Sequence, residues 1–166
     1  MPDQRPAPAP VITLRQGFLL VYGVGVALCV IWPLVLQVLL GRVIQPGFLG
    51  VTNVAKELGY TFTGLVILSA LYVVRRSKRV RSGFATLDAT KRTRVMSIEI
   101  LLYAALFELS ALFGLVYHGL GGPQAERYAR TFIALSTVMF LGFVPRFELW
   151  RQALEPDTPE KTCKSP

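Results

Sequence analysis

Three side chains within or beside the longest apolar run of the sequence are of types that carry protons or bind ions: Glu99, Glu108 and His118. Glu108 lies near the middle of the run 95–120, where a charged carboxylate costs roughly 2.5–3.5 kcal/mol on membrane-insertion scales. Desolvation at that depth favours the neutral acid. We interpret Glu108 as a proton- or cation-binding group, or as a polar contact that selects a helix partner. A protonated, purely structural Glu held by a neighbouring hydroxyl is the alternative.

Glu108 needs polar neighbours from the same helix or another one, because no Lys or Arg occurs at a matching depth in the other apolar runs. The candidate partners are small hydroxyl side chains. They are Thr63, Ser69, Ser110, Ser136 and Thr137. Thr61, Thr63 and Ser69 have a second interpretation, since such hydroxyls commonly bond the carbonyl groups of their own helix.

Glu99 and His118 are weaker candidates. Glu99 comes five residues after Arg94, so we expect it to reach the membrane interface or to pair with Arg92 or Arg94. Glu99 and Glu108 are nine residues apart, which places them on opposite faces of a helix and excludes a site with two carboxylates. His118 is about 15 Å beyond Glu108, too far for contact. We expect His118 to be a polar residue at the interface rather than a metal ligand or proton relay.

No motif of a known catalytic or nucleotide-binding site occurs in the sequence. The two cysteines, Cys29 and Cys163, have neither a metal-binding spacing nor a disulfide framework around them. We therefore predict a protein that is not an enzyme and that has no cofactor and no metal site. Nucleic-acid binding is not expected either, because no binding motif accompanies the net charge of +8.

Four apolar runs have the length needed to carry these residues across a bilayer. Of the 166 residues, 52% are hydrophobic and only 17% are charged, a composition typical of a membrane protein. The predicted fold is an all-α polytopic membrane protein whose four transmembrane helices form two hairpins in one domain, residues 17–152. We place span one at 18–40, span two at 58–74, span three at 95–120 and span four at 128–145. Pro33 predicts a kink in span one, or a point where freed backbone groups bond a neighbour.

A strongly basic loop, residues 75–94, separates spans two and three. Its cations are available to lipid headgroups or to a cytoplasmic partner. They are Arg75, Arg76, Lys78, Arg79, Arg81, Lys91, Arg92 and Arg94. With four spans, this loop lies on the same side as both termini, and that side holds 14 Lys and Arg against 4 on the other. The positive-inside rule therefore predicts an integral protein of a bacterial cytoplasmic membrane with both termini in the cytoplasm.

The two ends of the chain are rich in proline. Residues 1–16 and 153–166 are predicted to be disordered cytoplasmic tails, because proline lacks the backbone donor that a helix requires. Between Pro145 and the second tail, the sequence RFELWRQAL predicts a short interfacial helix. Phe147, Leu149 and Trp150 lie on or near one side of it.

The stretch from Glu108 to Val116, ELSALFGLV, resembles the carboxylate helix of the c subunit of rotary ATP synthases. Glu108 and the sequence Phe-Gly-Leu-Val at 113–116 carry this resemblance, which covers nine residues. It implies that Glu108 is a proton-binding acid. The glycine-repeat helix of that family has no counterpart here, since span two has only Gly59 and Gly64.

From the sequence we expect a non-enzymatic subunit or accessory protein of a membrane complex. Its partners would be the lipid bilayer and a membrane protein or further copies of itself. The alternative is a proton- or cation-handling membrane protein that uses Glu108.

Overall fold

The computed structural model of the protein describes residues 13–43, 45, 47, 55–121 and 125–154. The regular structure in these ranges is helical throughout. The helices are α1 (Leu14–Val26), α2 (Trp32–Arg42), α3 (Ala55–Ser82), α4 (Ala89–Gly121), α5 (Glu126–Phe143) and α6 (Phe147–Gln152). A π-helical segment, Ala27–Ile31, joins α1 to α2, and a 3-10 turn, Phe84–Thr86, precedes α4. Four helical stretches are long and apolar enough to cross a membrane, which confirms the predicted all-α polytopic fold. Below, span one is α1 to α2, and spans two, three and four are α3, α4 and α5.

Span one begins earlier than the sequence predicts. Thr13 caps the helix by accepting a hydrogen bond from the amide of Gln16, and the side chain of Gln16 accepts one from the amide of Thr13. This reciprocal pair satisfies two amides that a helix start leaves unpaired. The prediction of disorder is therefore wrong for residues 13–16, while residues 1–12 lie outside the described ranges. At the other tail, Ala153 and Leu154 pack against the core, and residues 155–166 are outside the described part.

The basic segment 75–94 is not the loop that we predicted. Span two continues as helix to Ser82, and span three begins at Ala89, so only residues 83–88 form the connection. Lys and Arg are good helix formers, and a helix that leaves the hydrocarbon layer has no reason to end where its apolar run ends. Most of the basic side chains therefore project from two rigid helix ends rather than from a flexible loop.

Spans one, three and four form the core of the bundle, and span two packs on its outside against span three. Two glycines allow close approach within the core. A Cβ atom at Gly114 would lie 2.6 Å from the carbonyl oxygen of Ala129, and one at Gly25 would lie 2.5 Å from the ring of Phe140. Small residues at such crossings let helix backbones approach closely, as is common in membrane bundles. The two predicted hairpins thus pack differently, since spans three and four touch along their length and spans one and two do not.

The connection at 83–88, the start of span one and α6 meet at one end of the bundle, which we call the turn end. The ring centroids of Phe84 and Trp150 are 4.9 Å apart, and those of Phe18 and Phe147 are 5.4 Å apart. Trp150 is fully buried, whereas Leu149 is exposed. Helix α6 therefore folds its tryptophan into the protein.

Candidate functional site

Glu108 lies on span three where this helix faces spans one and four. The hydroxyl of Ser136, on span four, donates a hydrogen bond of 3.3 Å to its Oε2 atom. The other oxygen, Oε1, is buried and has no hydrogen-bond partner among the described residues. Burying a carboxylate oxygen without a partner is costly, and protonation of the carboxyl group lowers that cost.

Among the five hydroxyls proposed as partners of Glu108, Ser136 is the one that bonds it. Thr63 and Ser69 donate to carbonyl groups one turn earlier in span two, as does Thr61, which confirms the second interpretation of these residues. Ser110 and Thr137 instead donate to main-chain carbonyls of neighbouring spans. The sequence identified the right residue types at the right depth, but not which of them contacts the acid.

Span one is irregular at the level of Glu108. Pro33 has no amide hydrogen to give to the carbonyl of Cys29, four residues earlier, and the π-helical segment Ala27–Ile31 surrounds that position. Thr137 of span four donates a hydrogen bond of 2.7 Å to the Cys29 carbonyl. The predicted effect of Pro33 is thus confirmed in its second form, because a freed backbone group bonds a neighbouring helix. We did not identify Cys29 from the sequence as a residue of this site. Pro33 indicates it, because the carbonyl four residues before a proline loses its helical donor.

Neutral side chains tie the three core spans together. The amide of Gln37 donates to the Arg130 carbonyl, and Ser110 donates to the Phe132 carbonyl, both over 2.7 Å. The thiol of Cys29 lies 3.3 Å from the Ala104 carbonyl, to which it donates. Together with the Thr137 contact, these hydrogen bonds link every pair of core spans without Glu108. The bond from Ser136 to Glu108 is therefore a second side-chain link between spans three and four, beside that of Ser110.

Glu108 sits at the edge of the buried face of span three. The next positions around the helix are exposed, and together they form an apolar stripe along its outer surface. We call this stripe, which is Leu101, Ala105, Leu109 and Leu112, the outer stripe. The carboxyl group of Glu108 is thus close to any lipid or protein that packs against the outer stripe. This position makes Glu108 reachable from the side of the bundle.

Glu99 pairs with Arg76 of span two rather than with Arg92 or Arg94, so our predicted pairing is wrong. The Nε and Nη2 atoms of Arg76 donate to the two carboxylate oxygens of Glu99 over 2.8 and 2.7 Å. The Glu99 side chain is 5% exposed, and Nη1 of Arg76 donates to the Tyr72 hydroxyl over 2.7 Å. The helical continuation of span two past residue 74 is what brings Arg76 to this position. The pair could not be predicted while Arg76 was assigned to a loop, since its position depends on the helix that continues to Ser82.

His118 lies at the far end of span three, opposite the turn end, and is fully buried instead of lying exposed at the interface. Its main-chain carbonyl accepts a hydrogen bond of 2.9 Å from the amide of Gly47, which therefore lies against this end of span three. The structure does not bring His118 and Glu108 together. Their separation of ten helical residues agrees with the predicted distance of about 15 Å.

The cations of the basic segment fall into two groups. Arg76 is part of the ion pair with Glu99, and Arg81 and Arg92 are partly buried and bond main-chain carbonyls. The others project from the turn end as an exposed set. We call this set the basic rim, and it consists of Arg75, Lys78, Arg79, Lys91 and Arg94.

Within the part of the chain that the structure describes, no three His, Cys, Asp or Glu side chains are grouped so as to hold a metal ion. Comparison of the chain with protein-family models, with curated proteins and with solved structures finds no match.

Proposed function

We propose that this chain is a non-enzymatic, proton-binding subunit or accessory protein of a membrane complex, and that Glu108 takes up the proton. The observation that carries the proposal is the buried, unpaired Oε1 atom of Glu108, inside a bundle whose helices are already joined by neutral hydrogen bonds. A carboxyl group that is costly to bury, between helices that have other polar links, is a candidate for function. Taking up one proton converts it to a neutral acid and removes most of that cost.

A proton fits this site better than a metal cation. A hard cation needs several oxygen ligands, commonly carboxylates and main-chain carbonyls. Two main-chain carbonyls near Glu108 already accept hydrogen bonds. The carbonyl of Cys29 accepts one from Thr137, and the carbonyl of Ala104 accepts one from the Cys29 thiol. Glu108 is then left with one hydroxyl neighbour, Ser136. One hydroxyl is enough to orient a carboxylic acid, but a metal cation needs more oxygen ligands than Ser136 and Glu108 supply.

The position of Glu108 beside the outer stripe favours a partner that covers this stripe. A protonatable group at the edge of a lipid-facing surface exchanges protons only where water or another polar group reaches it. A second membrane protein, or another copy of the chain, packed on the outer stripe would supply that contact. The exposed basic rim offers the same partner, or anionic lipid, a second region of attachment at the turn end.

The test for proton binding is covalent labelling of Glu108 by an apolar carbodiimide, which reacts with a carboxyl group in its protonated form. In protein reconstituted in lipid nanodiscs, we expect one label on Glu108, located by peptide mass spectrometry. The rate of labelling falls as the pH is raised from about 5 to about 9, because deprotonation removes the reactive form. Glu108→Gln abolishes the label, and Glu148→Gln, which alters an exposed acid on α6, leaves it unchanged.

Failure of Glu108 to react at every pH in that range, in protein that remains folded, would refute a proton site. The partner is tested separately by gentle solubilisation and light scattering. A chain that is entirely monomeric and free of other proteins would contradict the role as a subunit, and would leave the proton site standing.

A further inference from the structure

A groove opens between spans two and four at the far end of the bundle, away from Glu108. It has a volume of about 430 Å³, and its lining comes from spans two, three and four. Tyr117 of span three forms its floor. The ring of Tyr117 approaches span two at Gly59, where an added Cβ atom would lie 3.1 Å from it. Span two therefore contacts the Tyr117 ring closely at Gly59, while the facing side chains of spans two and four are separated by the groove.

The walls of the groove present apolar atoms. Thr63 and Thr131 face it from opposite sides, and each hydroxyl donates to a carbonyl one turn earlier in its own helix, over 2.8 and 2.9 Å. Their hydroxyl donors are used internally. The remainder of the wall includes Phe132 and Leu135. A ligand in this groove finds apolar contacts and few hydrogen-bond donors along the walls.

The groove faces the bilayer. It is built on helices of membrane-spanning length, and Ile67, on its outer side, is 54% exposed. From Tyr60 to Ile67 it extends seven residues, or about 10 Å, along the helix axis. One leaflet contributes about half of the ~30 Å hydrocarbon layer. The groove therefore matches the outer part of one acyl chain in length, and acyl chains are the molecules that surround it.

Its mouth is polar and carries charges of both signs, since Glu57 is exposed three residues before Tyr60 on span two. Tyr60 and Tyr128 are exposed there, and tyrosine is enriched at the level of lipid headgroups. Arg127 is exposed beside Tyr128 and lies one turn before Thr131, whereas Arg130 is paired with Glu126. Arg127 thus offers its charge at the point where an acyl chain in the groove joins its headgroup.

We propose that this groove binds one acyl chain of an anionic phospholipid, with the phosphate beside Arg127. The satisfied threonine hydroxyls select an apolar chain, and the tyrosines and Arg127 at the mouth select its headgroup. This lipid site is separate from the proton site, because its lining does not include Glu108 or Ser136, although Leu135 at its inner end directly precedes Ser136 in sequence.

Native mass spectrometry of the full chain, extracted in mild detergent and titrated with phosphatidylglycerol or phosphatidylethanolamine, tests the proposal. We expect one phospholipid retained per chain, with phosphatidylglycerol preferred. Thr131→Trp fills the groove and lowers the apparent affinity by about tenfold or more. Leu141→Trp, which introduces the same side chain at an exposed position of the same span outside the groove, leaves the affinity unchanged. Arg127→Gln reduces the preference for the anionic lipid by about fivefold while the acyl chain still binds.

Equal lipid retention in the Thr131→Trp variant and in the unaltered protein would overturn the proposal, as would the absence of any retained lipid. Co-purification of a different apolar molecule that Thr131→Trp displaces would overturn the assignment to phospholipid. Circular dichroism of each variant establishes that the helices are intact, and Thr131→Val, which removes the hydroxyl at nearly constant volume, is expected to keep the lipid.

Discussion

Arg76 and Glu99 show how single side chains can fix the position of a whole helix. Span two packs on the outside of the core against span three, and the ion pair that joins them is bidentate, with its carboxylate almost completely removed from water. Removing one member of such a pair leaves the other charge buried without compensation. The pair therefore acts as the polar attachment of span two to span three, close to the turn end.

Arg76→Ala is expected to destabilise the protein by about 2–3 kcal/mol, somewhat less than loss of a fully buried pair because Arg76 is partly exposed. Arg75→Ala, at the exposed neighbouring position, is expected to change little. Thermal unfolding in detergent micelles measures both. Replacing both members of the pair, with Arg76→Leu and Glu99→Leu, restores most of the stability. Equal melting temperatures for the Arg76→Ala and Arg75→Ala variants would contradict this role.

At the scale of the helix, Pro33 removes one main-chain hydrogen bond from span one, and a side chain of span four replaces it. The missing amide of Pro33 and the π-helical segment before it leave the Cys29 carbonyl available, and Thr137 bonds it from span four. An unsatisfied carbonyl in the hydrocarbon layer is costly, so the pairing holds spans one and four in register. The same register places Ser136, the neighbour of Thr137 in sequence, beside Glu108.

Thr137→Val is expected to cost about 0.5–1.5 kcal/mol, because it leaves the Cys29 carbonyl without this donor. In a Pro33→Ala background, the cost of Thr137→Val is expected to fall towards zero, since the restored amide can bond that carbonyl within span one. A double-mutant cycle of unfolding free energies in mixed micelles measures the difference. Fully additive costs would mean that Pro33 and Thr137 act independently.

At the scale of the whole molecule, charge and packing are distributed along one axis. The turn end brings together the start of span one, the connection at 83–88 and α6, and the basic rim surrounds it. The far end carries the pair of Glu126 and Arg130 and the mouth of the groove. Even numbers of spans return the chain to its starting side, so both described ends of the chain lie at the turn end.

Topology reporters test the assignment of the turn end to the cytoplasm. A phosphatase and fluorescent-protein pair fused after Leu120 is expected to report the outer side, and the same pair fused after Pro166 the cytoplasmic side. This expectation rests on the positive-inside rule, because 14 Lys and Arg lie on the side of the turn end and 4 on the other. Reports from the same side at both positions would be incompatible with four spans.

The sequence alone determines which segments of this protein cross the membrane. The free energy of transferring a helix into a bilayer is approximately a sum over the residues of that helix. The four apolar runs, their approximate positions, the basic segment and the unusual depth of Glu108 are all properties of this kind. Pro33 belongs with them, since a missing amide has the same consequence in any helix.

Only the tertiary structure decided which groups meet. Three contacts depend on how each helix is rotated about its axis. They are the ion pair of Glu99 with Arg76, the bond from Ser136 to Glu108, and the bond from Thr137 to the Cys29 carbonyl. Rotation is set by the interlocking of side chains such as Phe140 against Gly25 and Ile133 against Gly114. In a bilayer every helix is apolar on most faces, so its hydrophobic pattern does not specify which face turns inward. Packing and a few polar contacts make that choice.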